Sequence, residues 1–377
     1  RGTVLRVGAY SPGVSGAQTK ARLGLDHVVR LNWNESPFGP LPGVIEEAAA
    51  DLQEGAWTYP EGSYDELRTA LAGWTGAQPE QVVPGHGIQA LTVALCTAFV
   101  EPGDAVVIPR PTYGLYAQAA AVAGATVHRV DCEASLALDL GRIAEAAHDQ
   151  SAKLAWVCDP NNPTGLRLDP AQWPAFLEAL PRDCVAIVDE AYGDYLEPSQ
   201  RLDRLADVDA GRPVIVLRTF SKIFGLAGLR LGYALVHASL APYLNAVHEP
   251  FNVNRAALAA GLASLRRTDL LATRRRQVRE AAERLTAPLA RAGIRCLPSD
   301  ANFVLVDLGT DDLPVTEALA REGLLVRPGS ELGVPGYVRV TVADGEIMEL
   351  VAQKLEQAVG REAEAPDPAM REAPSPR

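Results

Sequence analysis

The chain alternates short apolar runs with longer stretches in which apolar residues recur every three to four positions. DAVVIP (104–109), ATVHRVD (125–131), AKLAWVCD (152–159), CVAIVDEA (184–191), PVIVLRTF (213–220) and LGYALV (231–236) show little polar alternation, which predicts strands buried on both faces. Segments of helical period such as LDPAQWPAFLEALP (168–181) lie between several of them. Strands of this kind joined by helical crossovers predict an α/β fold with a mostly parallel central sheet. Sites in such sheets gather at the carboxyl ends of the strands.

From about residue 255 the pattern changes. RAALAAGLASL (255–265) and the basic, amphipathic LLATRRRQVREAAERLTAPLARAG (270–293) predict long helices. NFVLVDL (302–308), GLLVRP (323–328) and YVRVTV (337–342) follow as strands, and EIMELVAQKLEQAV (346–359) as a closing helix. The expected organisation is a large domain over 36–252 and a smaller α+β domain formed by 1–35, an N-terminal arm, with 253–359. The segment 360–377, rich in Pro and Glu and without an apolar face, is expected to be disordered.

At 377 residues, 47% apolar and 22% charged, the chain can bury a large core. A net charge of −12 supplies no broad basic field, which argues against a nucleic-acid or anionic-membrane binder. No apolar run reaches the roughly 18 residues that span a bilayer. Cys96, Cys132, Cys158, Cys184 and Cys296 form no CxxC pair and lie in or beside apolar segments, so reduced, buried thiols are expected rather than disulfides or zinc ligands. The chain opens at Arg1 rather than methionine, which reads as a trimmed start, and shows no signal-peptide pattern; a cytoplasmic protein is expected.

Five stretches carry candidate chemistry. In RTFSKIFGLAGLRLGYAL (218–235), Lys222 follows a strand among Thr219, Ser221, Gly225, Gly228 and Arg230. An arbitrary lysine belongs on the surface, but hydroxyls with a guanidinium suit a phosphate, and an amine whose pKa is lowered forms a Schiff base. Together these describe a phosphorylated aldehyde cofactor. DPNNPTG (159–165) reads as a plain turn, or as a strand end from which the Asn162 amide reaches a cofactor's ring oxygen. In VAIVDEAYGDY (185–195), no further ligand is spaced to complete a metal site with Asp189 and Glu190. Asp189 can instead hold a pyridinium nitrogen protonated, as pyridoxal phosphate requires, with Tyr192 reaching the same ring's oxygen. PGHGIQALTVAL (84–95) turns into a helix whose first amides, at Gly87, Ile88 and Gln89, can face an anion, with His86 either a turn residue or a ligand. Tyr113 in RPTYGLY (110–116) is either a core tyrosine or a flat surface for a ring.

In order and spacing, SK-x-FGLAGLRLGY, NNPTG and DEAY resemble the fold-type I, class I/II pyridoxal phosphate-dependent aminotransferases over nearly the whole chain. The resemblance implies Lys222 as the lysine joined to the cofactor aldehyde, Asp189 on the pyridine nitrogen, and Asn162 with Tyr192 on the ring oxygen. It implies Tyr113 stacked on the ring, and Thr219, Ser221, Arg230 and the turn at Gly87, Ile88 and Gln89 around the phosphate. It implies a homodimer in which Tyr59 reaches the neighbour's phosphate. The ends of the chain are most similar to the histidinol-phosphate aminotransferases, through VGAYSPG (7–13), LNWNESPFGP (31–40), LLVRPG and YVRVTV. That similarity implies Tyr10, Asn34, Arg327 and Arg339 at the substrate, the two arginines gripping carboxylate and phosphate. Ser36, where the family usually has Asn, and the Ile88-Gln89 pair depart from its pattern. Transamination of histidinol phosphate with 2-oxoglutarate is the expected reaction. The alternatives are an aromatic amino-acid aminotransferase, a threonine-phosphate decarboxylase or cyclase on the same cofactor, and a non-catalytic regulator, for which no basic helix-turn-helix precedes Tyr10.

Overall fold

Every residue of LAWVC (β5, Leu154–Cys158) and VAIVD (β6, Val185–Asp189) is buried, because both faces of their sheet are covered. The computed structural model describes Val7 and residues 13–364. In chain order, the remaining strands are β1 (Val29–Arg30), β2 (Val82–Gly85), β3 (Ala105–Arg110), β4 (Thr126–Asp131), β7 (Val214–Thr219), β8 (Gly232–Leu235), β9 (Arg295–Cys296), β10 (Phe303–Asp307), β11 (Leu324–Leu325), β12 (Arg327–Pro328) and β13 (Tyr337–Thr341).

Seven strands form one sheet in the order β2-β8-β7-β6-β5-β3-β4. Only β8 runs against its neighbours, so β2 points the same way as β7 and the sheet is mostly parallel, as expected. Side chains alternate across it. Leu154, Trp156, Cys158, Ile187 and Leu217 pack on one face, while Ala155, Val157, Val188 and Val216 pack on the other. The second face continues into a core with Phe303, Val306, Val338 and Val340, which belong to an antiparallel sheet ordered β12-β13-β10-β9.

All six strands expected in the first half are present as β3 to β8. Three details differ. Pro84 and Gly85, read as part of a turn, close strand β2, which pairs with β8. GLLVRP divides into β11, which pairs with β1, and β12, which pairs with β13. The closing helix, expected to stop at 359, runs over Gly345–Glu364 because Arg361 and the glutamates around it are good helix formers. The expected disorder of 360–377 is therefore corrected at its start, and from 365 it lies outside the described residues. Among the described residues no helix is long and apolar enough to cross a membrane. All five cysteines are free, three of them buried and Cys132 and Cys296 partly so.

Candidate active site

Strand register assembles the site at one end of the central strands. Cys158 pairs with Asp189, which pairs with Leu217, so the parallel strands β5, β6 and β7 end nearly level. Gly232 of the reversed strand pairs with both Gly85 and Thr219, bringing the turn after β2 to the turn after β7. A Cβ at Gly232 would stand 3.0 Å from the Ile88 nitrogen, so the close approach of the two turns requires glycine there.

Around that approach the polar groups converge. The helix Gly87–Phe99 begins with Gly87 at φ 75°, where a Cβ would lie 2.5 Å from Arg230 Nη2. Arg230 Nη2 donates to Gln89 Oε1 at 3.2 Å, and its Nη1 to Ser221 Oγ at 3.4 Å. The Thr219 hydroxyl accepts from the Ser221 amide at 3.0 Å and donates to the Leu231 carbonyl at 3.3 Å. Gln89 Nε2 donates to the Tyr113 hydroxyl at 3.0 Å. A helix N-terminus, two hydroxyls and a guanidinium in one group suit an anion such as a phosphate.

Asp189 ends β6 with 3% of its surface exposed. Burial pushes its carboxyl up to about 6, partly offset by the Tyr116 hydroxyl, which donates to Oδ2 at 2.5 Å, and by the Ala191 amide, which donates to Oδ1 at 2.9 Å. Tyr116 stacks on Trp156 at 4.4 Å and meets Tyr113 edge-on at 5.4 Å. Reading the sequence missed Tyr116. The available signal was a second tyrosine three residues after Tyr113, in the first turn of the helix Leu115–Ala123.

Lys222 is partly buried, with its amine turned toward the segment at Trp33 and Asn34. Burial and the Arg339 guanidinium lower its pKa to about 7. Its Nζ donates to the Asn34 carbonyl at 2.8 Å and to the Trp33 carbonyl at 3.3 Å, and lies 5.5 Å from the Tyr192 ring centre. Asn34 adopts φ 54°, and its side chain is occupied at both ends, donating to the Tyr192 hydroxyl at 3.0 Å and accepting from Thr341 Oγ1 at 3.1 Å. Asn302 Nδ2 donates to the carbonyls of Asn34 and Glu35, each at 3.1 Å. Thr341 lies in YVRVTV and Asn302 in NFVLVDL, patterns that mark strands without marking these two side chains as part of the site. Burial raises the Tyr192 phenol above its ordinary value.

Arg339 and Arg327 face each other directly across β13 and β12. Arg339 donates to Asn162 Oδ1 at 2.5 Å and to the Asn32 carbonyl at 2.7 Å, tying the antiparallel sheet to the NNPTG turn. Arg327 Nη2 lies 3.0 Å from Glu331 Oε2. Tyr59 is not brought into this group: it is 80% exposed, with its ring stacked on Phe251 at 4.6 Å. Tyr10 lies outside the described residues.

The family model of the class I and II aminotransferases matches residues 26–355. The chain belongs to that family. Among its relatives are the histidinol-phosphate aminotransferases of Symbiobacterium thermophilum, 38% identical with 96% of this chain and 98% of that one covered, and of Moorella thermoacetica, 35% identical with 91% and 88% covered. Among solved structures, histidinol-phosphate aminotransferase from Sinorhizobium meliloti in complex with pyridoxal-5'-phosphate superposes with a TM-score of 0.87 at 27% identity, covering 95% of this chain and 97% of that one. An aspartate aminotransferase from Thermus thermophilus shares the fold, with a TM-score of 0.80 at 24% identity over 94% of this chain and 98% of that one.

Proposed function

We propose that this aminotransferase uses pyridoxal 5'-phosphate to move the amino group of histidinol phosphate to 2-oxoglutarate, a step of histidine biosynthesis. The observation that carries the reading is the pairing of a partly buried amine held near pH 7, Lys222, with a buried carboxyl, Asp189, beside an anion-type turn. The residues fit the cofactor. The space that a Cβ at Gly87 would take from Arg230, and the donors of Ser221 and Thr219, suit its phosphate. Asp189 suits a ring nitrogen and Lys222 an aldehyde.

When bound, pyridoxal phosphate supplies an aldehyde that captures an amine and a cationic ring that accepts electrons from a breaking Cα–H bond. Asp189 keeps that ring nitrogen cationic, because a carboxylate facing a cation is favoured where an isolated carboxylate is disfavoured. Asn162 and Tyr192 would hold the ring through its oxygen, and Tyr113 would lie against it. Lys222 Nζ would take the proton from Cα of the amino donor and, in the second half-reaction, deliver a proton to Cα of the new amino acid, a task suited to an amine whose pKa lies near the working pH. Arg327 and Arg339, on adjacent strands, hold the anionic end of each substrate.

The exposed ring pair of Tyr59 and Phe251, next to Trp57 at 77% exposure, supports a homodimer in which Tyr59 reaches the neighbour's phosphate. Five free thiols support a reducing, cytoplasmic setting. Purified protein supplied with pyridoxal phosphate, histidinol phosphate and 2-oxoglutarate is expected to release glutamate. Release from phenylalanine alone, or CO2 from threonine phosphate, would overturn the substrate assignment.

A further inference from the structure

A second group of buried charges lies behind the cleft. Arg204, the first residue of the helix Arg204–Asp209, is 3% exposed and spans two carboxylates. Its Nη2 is 2.6 Å from Asp159 Oδ2, and its Nη1 donates to Glu190 Oε1. The other oxygen of Glu190 accepts from Arg218 Nε at 2.8 Å, and the Arg204 guanidinium sits 4.9 Å from the Trp173 ring centre. Two carboxylates and two guanidiniums leave the cluster neutral. Burial pushes Glu190 up, but Arg218 and Arg204 overcome it and hold the carboxyl below its usual range.

The two carboxylates that Arg204 joins sit at the roots of two site segments. Asp159 directly follows β5 and stands three residues before Asn162, and its amide donates to the Asp189 carbonyl at 2.9 Å. Its Oδ1 also accepts from the Leu168 amide at 3.1 Å, which closes the NNPTG turn. Glu190 is the neighbour of Asp189 in the chain, and its amide donates to the Leu217 carbonyl at 2.9 Å. A bidentate guanidinium fixes the separation of its two partners more tightly than a point charge does.

We infer that Arg204 is a positioning residue for the cofactor: by clamping Asp159 to Glu190 it sets the spacing of Asn162 and Asp189, and it cancels negative charge that would otherwise act on Asp189. The inference rests on the pyridoxal phosphate reading above. The groups that act directly on Asp189 are Tyr116, Cys158, Lys222 and Glu190, and Glu190 raises its pKa. Behind them stand Asp159, Arg204 and Arg218. Neutralising Arg204 leaves one uncompensated negative charge there, which favures protonation of every cationic or acidic group nearby.

The test compares wild type, Arg204→Met and Arg204→Lys by their equilibrium binding of pyridoxal 5'-phosphate, the pH midpoint of the bound chromophore's absorption band, and thermal unfolding. Arg204→Met is expected to bind the cofactor at least about tenfold more weakly, the scale of one charge-assisted hydrogen bond. Its chromophore midpoint is expected to rise by on the order of half a unit or more. Arg204→Lys restores the charge without the fork, so its midpoint returns toward wild type while affinity stays reduced. A folded Arg204→Met with wild-type affinity and midpoint, even one of lower thermal stability, overturns the inference. Should the Met variant not fold, the Lys variant decides: wild-type affinity overturns the inference, and reduced affinity with an unmoved midpoint supports it. A wild-type protein that binds no pyridoxal phosphate would remove the cofactor reading itself and the inference with it.

Discussion

The Tyr116 hydroxyl donates to Asp189 Oδ2 across 2.5 Å, and both residues are buried. This bond favours the ionised carboxylate, against the burial that disfavours it. Tyr116→Phe is expected to weaken cofactor binding by roughly ten- to a hundredfold, from a loss of about 1.5–3 kcal/mol for a hydrogen bond to a charged group. Titrating the cofactor-free variant with pyridoxal phosphate measures it, and unchanged affinity would show that Asp189 is held by other means.

Lys222 should react as an amine near neutral pH. With its pKa lowered from an ordinary lysine's to about 7, the neutral, nucleophilic form persists above that pH and is lost below it. In cofactor-free protein, the rate of Lys222 acetylation, followed by peptide mass spectrometry, is expected to have its midpoint near pH 7. Arg339→Met removes a cation that lowers the value, so the midpoint should move upward. A midpoint near pH 10 in the wild type would contradict the described burial.

Gly87→Ala tests the anion turn. The new methyl group would stand 2.5 Å from Arg230 Nη2 on a backbone at φ 75°, so the guanidinium or the turn must move. Binding of pyridoxal phosphate is expected to fall by about tenfold or more, the effect of losing one charge-assisted contact. Binding of pyridoxal, which has no phosphate, should change little. Equal losses for both ligands in parallel titrations would place the phosphate elsewhere.

The Asn34 side chain bonds Tyr192 and Thr341, and its carbonyl accepts from Lys222. At φ 54° a non-glycine residue is strained, and Asn tolerates this region better than Ala. Asn34→Ala should therefore be less stable than Asn34→Gly by about 1 kcal/mol in urea unfolding, because both lose the side-chain bonds but only alanine carries the backbone strain. Both variants free Tyr192 and should lower turnover alike. If Asn34→Gly keeps full turnover, Asn34 holds nothing that the reaction needs.

The sequence by itself determined the strands β3 to β8 and the positions of Lys222, Asp189, Asn162 and Arg230, because buried parallel strands are written as unbroken apolar runs and their ends as local turn chemistry. What only the tertiary structure decided are relations between distant segments. The Asn34 carbonyl meets Lys222 across 188 residues, Arg339 reaches Asn162 across 177, and Arg204 joins Asp159 to Glu190. No local period encodes such contacts: they follow from strand register and from the packing of one sheet on another, where a buried polar group must find its partner wherever the fold supplies one.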